Sequence, residues 1–361
     1  MRLAGSLVRP TIAFALLVAM AYGATAAEPG PPLVPVAPGT SIQAAIDSAP
    51  AGAVLRLEAG EYAETVTIDK SVTLRGPDDG EARWTGTEAG CVLHITGEGV
   101  TVGIERLTIH GARGYDGHGI AVDGAAVAEL VEVLLIGNAW FGLQASEHSE
   151  ATLVDCSVRE NGSAGLISED FARLRVVDCD VCSNTSHGLL ALHLSDATIE
   201  RSEIGGNWAG IWAWDASRVS VAGSYIAGNV DYGAIVSTAA LLVLQGTTVT
   251  GSGHHGLLFE ESSRGVLRDS FIHENGADGL FAEGDAILEI DRCTFAKNGR
   301  AGLRVAWGER TGGFDPKRYF AGRIEGAANV VPEPGEPEGN GEAALCPAPP
   351  ALWPNGFLEG M

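Results

Sequence analysis

Residues 151–189 read ATLVDCSVRENGSAGLISEDFARLRVVDCDVCSNTSHGL, and this stretch decides the fold. It holds one pattern twice. Asn161 and Asn184 occupy the same position in the two copies, and each is followed four residues later by a glycine, Gly165 or Gly188. A pattern that returns after 23 residues predicts a solenoid, in which each unit packs only on its neighbours.

The pattern continues on both sides of this stretch. Asparagines recur every 22 or 23 residues, with Ser252 at the one position that lacks an Asn: Asn138, Asn161, Asn184, Asn207, Asn229, Asn275 and Asn298. Glycines keep the same period: Gly119, Gly142, Gly165, Gly188, Gly210, Gly233, Gly256, Gly279 and Gly302. Two residue types that stay in phase over nine turns indicate a single repeated coil.

The residues between these markers indicate the kind of solenoid. One apolar column lies eight positions before the Asn column and another lies three positions before it, as Leu153 and Val158 do before Asn161. Short apolar runs separated by Gly and Asn turns leave no room for a helix. The sequence therefore predicts an all-β fold, a right-handed single-stranded parallel β-helix, in which equivalent side chains stack from coil to coil.

Two polar columns are predicted inside the coils. The Asn column is expected to form an internal ladder, because an amide both donates and accepts, and to occupy the left-handed turn positions that Asn tolerates. Five positions before Asn, Cys156 and Cys179 interchange with serine and threonine in other coils. This interchange favours buried free thiols, with a Cys156–Cys179 disulfide as the alternative.

The start of the chain differs from the coils. Residues 1–27 are predicted to be a cleavable signal peptide, because a basic start precedes a short apolar run that ends in Ala24-Thr25-Ala26. Residues 28–38 are interpreted as a linker. Thr40-Ser41-Ile42-Gln43 fits a capping box at the start of a short helix that caps the β-helix, which is predicted to span 39–306.

Residues 307–361 are predicted to be a C-terminal capping or tail segment, because the repeat stops and the last part is rich in Pro, Gly and Glu. A basic patch leads into it: Arg292, Lys297, Arg300, Arg304, Arg310, Lys317, Arg318 and Arg323. The patch either receives a carboxylated sugar or pairs with acids of the tail: Glu333, Glu336, Glu338 and Glu342. Pairing with the tail is favoured.

The charge excludes some partners. Lys and Arg number 23 against 46 Asp and Glu, which gives a formal net charge of -23. Such a surface repels nucleic acid and anionic lipid, and past the signal peptide no segment is apolar enough to span a membrane. The signal peptide predicts a secreted or periplasmic protein. The charge predicts no nucleic-acid partner, and the hydropathy predicts no membrane span.

Three further motifs resemble a known family. They are SIQAAI at 41–46, AGEY at 59–62 and VTLRG at 72–76. Together with the Asn and Gly repeats they resemble the N-terminal cap and coils of the pectin-lyase-like superfamily, over residues 40–306. The resemblance implies a long face that binds or modifies an extended polysaccharide. It assigns no activity, because that fold serves lyases, hydrolases, epimerases, esterases and non-catalytic binding proteins.

A non-catalytic periplasmic or surface scaffold that binds another protein is the alternative function. His118, in Gly117-His118-Gly119, matches one element of polygalacturonases, but the same His-Gly pair recurs at His187 and His255 and the rest of that pattern is missing. A structural role in the turn is therefore favoured for His118. Asp116 and His118, in the longest Gly-rich turn, remain the catalytic candidates.

Neither a cofactor nor a metal site is predicted. Asp155 and Asp178 share an outward column and suggest calcium, but no carbonyl-rich loop accompanies them, so solvated carboxylates are favoured.

An outward column of apolar residues predicts a surface that something covers: Ile167, Leu190, Trp212, Ile235, Leu258 and Phe281. The C-terminal segment from Trp307 to Phe357 is the favoured cover. A partner chain is the second candidate and a glycan is the third, with Trp212 and Trp214 stacking on sugar rings. The candidate substrate-binding residues are Tyr115, Trp212, Trp214, Arg300 and Arg304.

Overall fold

The computed structural model describes residues 30–306, 320–332, 336 and 339–346. Over these residues the chain winds as a right-handed parallel β-solenoid of about 12 turns with one short helix near its start, so the predicted fold class is confirmed. In the part of the chain that the structure describes, no helix has the length and apolar character needed to cross a bilayer. The predicted signal peptide, 1–27, lies outside the described residues.

Successive turns add strands to three parallel sheets, named A, B and C here. Sheet A contains β1 (Leu33–Val36), β2 (Val54–Leu57), β5 (Val72–Arg75), β8 (Thr101–Glu105), β11 (Val127–Val131), β14 (Glu150–Val154), β17 (Arg173–Val177), β20 (Asp196–Glu200), β23 (Arg218–Ala222), β26 (Leu241–Gln245), β29 (Arg264–Arg268), β32 (Ile287–Asp291) and β35 (Arg323–Glu325). Sheet B contains β3 (Gly60–Ala63), β6 (Ala82–Thr85), β9 (Thr108–His110), β12 (Leu134–Ile136), β15 (Ser157–Arg159), β18 (Asp180–Cys182), β21 (Glu203–Gly205), β24 (Tyr225–Ala227), β27 (Thr248–Thr250), β30 (Phe271–His273) and β33 (Thr294–Ala296). Sheet C contains β4 (Val66–Ile68), β7 (Leu93–Ile95), β10 (Ile120–Val122), β13 (Leu143–Ala145), β16 (Leu166–Ser168), β19 (His187–Ala191), β22 (Ala209–Ala213), β25 (Tyr232–Val236), β28 (Leu257–Phe259), β31 (Leu280–Ala282), β34 (Ala301–Val305) and β36 (Ala343–Cys346).

Corresponding residues of successive coils stand beside one another, and this register builds the core. Leu153 in sheet A pairs with Val176 of the next coil, and Val158 in sheet B pairs with Val181. All four side chains are buried. The two apolar columns predicted from the sequence are therefore the inner sides of sheets A and B, and apolar contact between equivalent positions stabilises the stack.

The Asn column forms the predicted internal ladder. Asn161 Nδ2 donates to Asn184 Oδ1 at 2.9 Å, and the Asn161 backbone N–H donates to the same oxygen at 3.1 Å. Asn161 Nδ2 also donates to the Leu135 carbonyl at 3.3 Å. Asn340, which is 42 residues after Asn298 and so out of phase with the repeat, accepts from Asn298 and extends the ladder.

The left-handed backbone positions do not fall on the asparagines, and that expectation is wrong. In the turn that carries the ladder, the left-handed residue is the one before each ladder position, where φ lies between 53° and 67°: Gly137, Glu160, Ser183, Gly206, Gly228, Gly251, Glu274 and Lys297. The turn before the ladder position directs the next side chain into the core. Glycine takes four of these eight positions because it adopts this conformation without strain.

A second buried ladder contains Cys156 and Cys179, which are free thiols. The Cys156 backbone N–H donates to Cys179 Sγ at 3.3 Å, and the Cys179 backbone N–H donates to Ser202 Oγ at 3.0 Å. A thiol therefore replaces a hydroxyl as the acceptor for the preceding coil, which explains why Cys and Ser interchange. The prediction of buried free thiols is confirmed.

Helix α1 (Ile42–Ser48) begins one residue later than the predicted capping box implies. Ser41 is the N-cap, and its Oγ accepts from the Ala44 backbone N–H at 3.0 Å. The carboxylate that completes the cap comes from outside the helix, because Glu64 accepts from the Ile42 backbone N–H at 2.6 Å. Gln43 is thereby left to donate to the Thr67 carbonyl, which ties α1 to the first coil.

The two ends of the solenoid also differ from the expectations. β1 lies inside the predicted linker, 28–38, and pairs in parallel with β2, so sheet A begins there. At the other end, β35 pairs with β32 and β36 pairs with β34. The described parts of the C-terminal segment thus continue the coils, while 307–319 and 347–361 lie outside the described residues.

Replacing Asn184 with alanine tests the ladder. Asn184→Ala removes the acceptor of two Asn161 donors in a buried position, so the free energy of unfolding should fall by about 1–3 kcal/mol. Thermal unfolding measures the loss, with Thr185→Ala on the exposed side of the same turn as the control. Equal melting temperatures for the two variants would contradict a buried ladder.

Candidate functional site on sheet C

Side chains of sheet C alternate between the core and the outer face. The outward position next to the last residue of each strand forms a straight column, named the outer column: His94, Ala121, Gln144, Ile167, Leu190, Trp212, Ile235, Leu258, Phe281 and Arg304. The apolar stripe predicted from Ile167 to Phe281 is the middle of this column, and its members are in register.

The stripe is covered from the side. Ile167, Ile235 and Leu258 are only 3, 5 and 8% exposed. The cover is the segment between sheets B and C (the B–C turn), which runs from the ladder position to the following Gly in each coil and includes the first two residues of β19, β22, β25 and β34. Phe141 belongs to the apolar cluster of Ile167, and Tyr232 packs against that of Ile235 and Leu258. Residues 320–332 and 339–346, the described C-terminal parts, pair with the last coils instead.

Four rings form the first ring cluster, near the N-terminal end of this face. The Tyr115 and Trp140 centroids are 4.9 Å apart, and those of Trp140 and Phe141 are 5.6 Å apart. His118 stacks on Phe141 at 4.9 Å with only 4° between the ring planes. Tyr115 is 76% exposed, so it presents its ring to solvent.

The two catalytic candidates, Asp116 and His118, lie in the turn between β9 and β10. His118 is 4% exposed, and burial lowers its pKa to about 4, so the imidazole is neutral at neutral pH. Its Nδ1 is buried and has no hydrogen-bond partner among the residues that the structure describes. Asp116 is exposed, has a left-handed backbone, and accepts from the His118 backbone N–H through its carbonyl at 2.9 Å.

A second ring cluster lies further along the same face: His187, Trp208, Trp212, Tyr232, His254, His255 and Phe281. Trp212 lies 5.1 Å from the His187 ring, and Trp208 lies 5.9 Å from the Tyr232 ring. His187 Nδ1 is 2.7 Å from Ser186 Oγ, while its buried Nε2 has no hydrogen-bond partner within the described part of the chain. Burial lowers the pKa of His187 to about 4.

A buried carboxylate lies at the C-terminal edge of this cluster. Asp278 is fully buried, and its Oδ1 accepts from Arg304 Nε at 2.8 Å and from the Ala301 backbone N–H at 3.1 Å. Its Oδ2 lies 3.3 Å from His255 Nδ1 and accepts no hydrogen bond from the described residues. Burial, with nearby positive charge, lowers the pKa of His255 to about 3. The pair thus holds a neutral imidazole beside a carboxylate.

Arg304 is committed to acidic partners. Besides Asp278, its guanidinium pairs with Glu342 at 3.2 Å. The predicted pairing of the basic patch with the tail is confirmed for Arg304 and Glu342. Arg292 instead pairs with Asp269 of the preceding coil at 2.6 Å, and Arg300 is exposed in the last B–C turn.

The predicted site residues share one face but not one pocket. Trp212 is four coils from His118 and four coils from Arg304, about 19 Å in each direction at ~4.8 Å per strand. Trp214, two residues after Trp212, points outward on the same strand edge and is 41% exposed. This spacing fits an extended ligand rather than a compact catalytic centre.

Several residues on this face were missed from the sequence: Trp208, Tyr232, His254, Asp278 and the His94–Asp123 pair, whose Nε2 and Oδ2 are 2.7 Å apart. A usable signal exists for some of them. The position directly before each repeated Gly holds Phe141, His187, Tyr232, His255 and Asp278, which form one column across the coils. The residue type in this column differs from coil to coil, so the column is harder to recognise in the sequence than the Asn column.

In the acidic column that suggested calcium, Asp178 forms an ion pair instead. Arg201 donates to both carboxylate oxygens of Asp178, at 2.9 and 2.8 Å. Within the described residues no group of three His, Cys, Asp or Glu side chains is placed to hold a metal ion.

The coils and the long outer face define a right-handed parallel β-helix protein with the pectin-lyase-like fold. The family model "Right handed beta helix region" matches residues 90–212 and 209–311, so the chain belongs to that family. No curated protein matches the chain in sequence.

Solved structures of three proteins share the fold at low identity. The A-module of Azotobacter vinelandii mannuronan C-5 epimerase AlgE4 is 18% identical with a TM-score of 0.63, over 84% of this chain and 95% of that one. A double mutant of the periplasmic alginate epimerase AlgG is 14% identical with a TM-score of 0.60, over 82 and 83%. Tailspike protein 2 of an Escherichia coli bacteriophage is 13% identical with a TM-score of 0.52, over 69 and 40%.

The buried imidazoles predict a pH-dependent stability. His118, His187 and His255 have pKa values of about 4, 4 and 3 in the fold, below the ordinary value of 6.5. Between about pH 4 and pH 6.5 the unfolded chain therefore binds more protons than the folded chain. The free energy of unfolding is thus highest above about pH 6.5 and decreases as the pH falls towards 4.

Thermal unfolding at about pH 7 and about pH 5.5 tests this linkage. His118→Phe retains a ring to stack on Phe141 but binds no proton. Its melting temperature should therefore decrease less between the two pH values than that of the wild type. The exposed His148→Gln serves as the control. A variant at His118 with the wild-type pH dependence would refute the assignment of that proton uptake.

Proposed function

We propose that the protein binds an extended polysaccharide along the outer face of sheet C. The observation that carries the proposal is the line of rings on this one face. The two ring clusters span the coils from His118 to Phe281, about 34 Å at ~4.8 Å per strand.

The exposed rings fit a sugar polymer in chemical terms. Tyr115, Trp208 and Trp214 are 76, 38 and 41% exposed, so their rings are open to a ligand. Each offers a flat apolar surface with a polar tip, which suits the C–H face and the hydroxyl rim of a pyranose. We assign Tyr115, Trp212 and Trp214 to sugar contact, with Trp208 added by the structure.

The comparisons support the class of ligand. The structural neighbours include a mannuronan C-5 epimerase and an alginate epimerase. Transfer of that class to this chain is part of the proposal, since the identities are below 20%. The proposal also places the protein outside the cytoplasm, based on the signal-peptide pattern of residues 1–27.

Alanine substitution of the exposed tryptophans tests binding. The double variant Trp208→Ala/Trp214→Ala should lose about tenfold or more in affinity for the oligosaccharide that the wild type retains. Affinity electrophoresis against acidic, neutral and amino-sugar polymers measures the loss. Tyr225→Ala, which removes a ring 57% exposed on sheet B, is the matched control and should bind normally.

Two results would count against the proposal. If the wild type retained none of the polymers, the protein-binding scaffold would replace it. If Tyr225→Ala weakened binding as much as the double variant, the outer face of sheet C would not be the binding face.

The catalytic assignment of Asp116 and His118 stays a prediction with its own test. A neutral His118 is in the protonation state of a general base. His118→Gln should therefore abolish the release of reducing or unsaturated ends from a bound oligosaccharide and leave retention in the gel intact. Wild-type binding without turnover of any polymer would assign the protein to the non-catalytic members of the fold.

A further inference from the structure

One imidazole on the outer face of sheet C is bonded to a carboxylate. His94 stands in the outer column, in register with Ala121 of the next coil. Its Nε2 lies 2.7 Å from Oδ2 of Asp123, which directly follows β10. His255 and Asp278, by comparison, are 3.3 Å apart. The contact between His94 and Asp123 therefore has the length of a strong, charge-assisted hydrogen bond.

The solenoid itself holds Asp123 in place. The Asp123 backbone N–H donates to the Ile95 carbonyl at 3.1 Å, and the Asp123 carbonyl accepts from the Ala126 backbone N–H at 3.2 Å. Ile95 directly follows His94 on β7, so this register fixes the carboxylate beside the imidazole. Because a carboxylate only accepts hydrogen bonds, the shared proton belongs to Nε2, and the lone pair of the neutral ring is on Nδ1.

The second nitrogen of this imidazole is open to a ligand. Nδ1 of His94 has no hydrogen-bond partner among the described residues, and the His94 side chain is 33% exposed. Ala121, the next residue of the outer column, is too small to cover the ring. His118, the histidine predicted from the sequence, is only 4% exposed. His94 is therefore better placed than His118 to contact a bound substrate.

The outer column is open at His94 because its composition changes along the sheet. In the middle of the column, apolar residues such as Ile167 are covered by the B–C turn. At the N-terminal end the column contains His94, Ala121 and Gln144, which are half-buried. A substrate can therefore reach this end of the column directly.

Two long turns border this end of the face. They are residues 86–92 and 111–119, the longest of the described segments that lead from sheet B to sheet C. The Gly90 backbone N–H donates to the Arg113 carbonyl at 2.9 Å, which joins the two turns. The outer column at His94 is thus bordered by longer turns than elsewhere along sheet C.

The first ring cluster lies on the second of these turns. Tyr115 is 76% exposed and belongs to the same turn as His118. Ala121, the register partner of His94, follows His118 by three residues, which is about 10 Å of extended strand. A sugar chain that contacts the Tyr115 ring and extends over Ala121 therefore lies against His94.

We propose that His94 is a catalytic base, positioned by Asp123, in the hydrolysis of ester substituents on the polysaccharide bound to this face. The inference rests on the proposed function and adds a reaction to it. An imidazole whose other nitrogen is held by a carboxylate is suited to acyl transfer. It takes a proton from the attacking oxygen and returns it to the leaving oxygen.

The reaction consumes water. His94 Nδ1 accepts a proton from a water molecule while the oxygen of that water bonds to the carbonyl carbon of the ester. Asp123 stabilises the imidazolium that forms. The imidazolium then returns the proton to the sugar oxygen as the bond between that oxygen and the carbonyl carbon breaks. The products are a carboxylic acid and a free sugar hydroxyl, and the neutral imidazole is regenerated.

Two other reactions fit this pair less well. Hydrolysis of a glycosidic bond uses two carboxyl groups that flank the bond, whereas Asp123 is bonded to the imidazole. Removal of a C–H proton beside a uronate carboxylate requires a cation at that carboxylate. Asp123 instead places a negative charge beside the base, which repels a uronate.

Release of acetate from O-acetylated oligomers of mannan, xylan and mannuronate tests the reaction on the full chain. The wild type should release acetate, and His94→Gln should lower the rate about hundredfold or more. Asp123→Asn should lower kcat at least about tenfold and change KM less than about twofold, because it removes the positioning of the base but no sugar contact. Asp123→Glu, which retains the carboxylate, should restore part of the rate.

The matched control is His110→Gln. His110 also lies beside a carboxylate, Glu61 at 3.8 Å, but it belongs to sheet B and is outside the ring line. This variant should release acetate at the wild-type rate. Gel retention of the oligomers and melting curves check that every variant binds and folds.

The outcomes separate this inference from the proposed function. A wild type that binds the oligomers but releases no acetate would overturn the inference and leave the proposed function intact, as would full activity of His94→Gln. Gel retention that falls in proportion to the rate in His94→Gln would make His94 a binding residue and overturn the inference too. Unsaturated ends in place of acetate would replace ester hydrolysis with elimination. Binding of none of the oligomers would refute the proposed function itself.

Discussion

The ladder of buried asparagines is the constraint on which the rest of the structure depends. Most amide oxygens accept two hydrogen bonds from the preceding coil, as Asn184 Oδ1 does from Asn161, while Asn138 and Asn275 accept one each. The amide nitrogens donate to a backbone carbonyl of the preceding coil, as at Asn161 and Leu135. From Asn138 to Asn298 a coil must therefore return to the same point after 22 or 23 residues, or leave buried polar groups unsatisfied. This requirement keeps all three sheets in register, and it makes the outer column straight.

Most of the fold was predictable because the same ladder position recurs once in every coil. The inward columns at Leu153 and Val158, the buried thiol of Cys156 and the helix near Ile42 all follow from spacing that the sequence displays. What could not be predicted depends on contacts between distant parts of the chain. Glu64 replaces a local partner in the cap of α1, and Asn340 joins the ladder although 42 residues separate it from Asn298.

The functional face was predictable only in part. The outward stripe through Trp212 followed from the period, because a β-strand places alternate residues on one face. Its cover did not, since Phe141 and Tyr232 reach the stripe from a turn whose side chains vary freely. The ion pair of Arg304 with Asp278 joins residues in adjacent coils, and nothing in the repeat marks it as different from the solvated pairs on sheet A.

The freedom of the B–C turn explains how a regular scaffold carries a specific surface. The position before the repeated Gly lies outside the core, so the ladder does not restrict its size. Ala164 and Ala209 alternate there with Phe141, His187 and Tyr232. The small side chain of Ala209 leaves room for Trp212 to approach the His187 ring at 5.1 Å and for Trp208 to approach the Tyr232 ring. The rings are thus placed by small neighbours in the same column, so the ligand surface can change while the ladder remains the same.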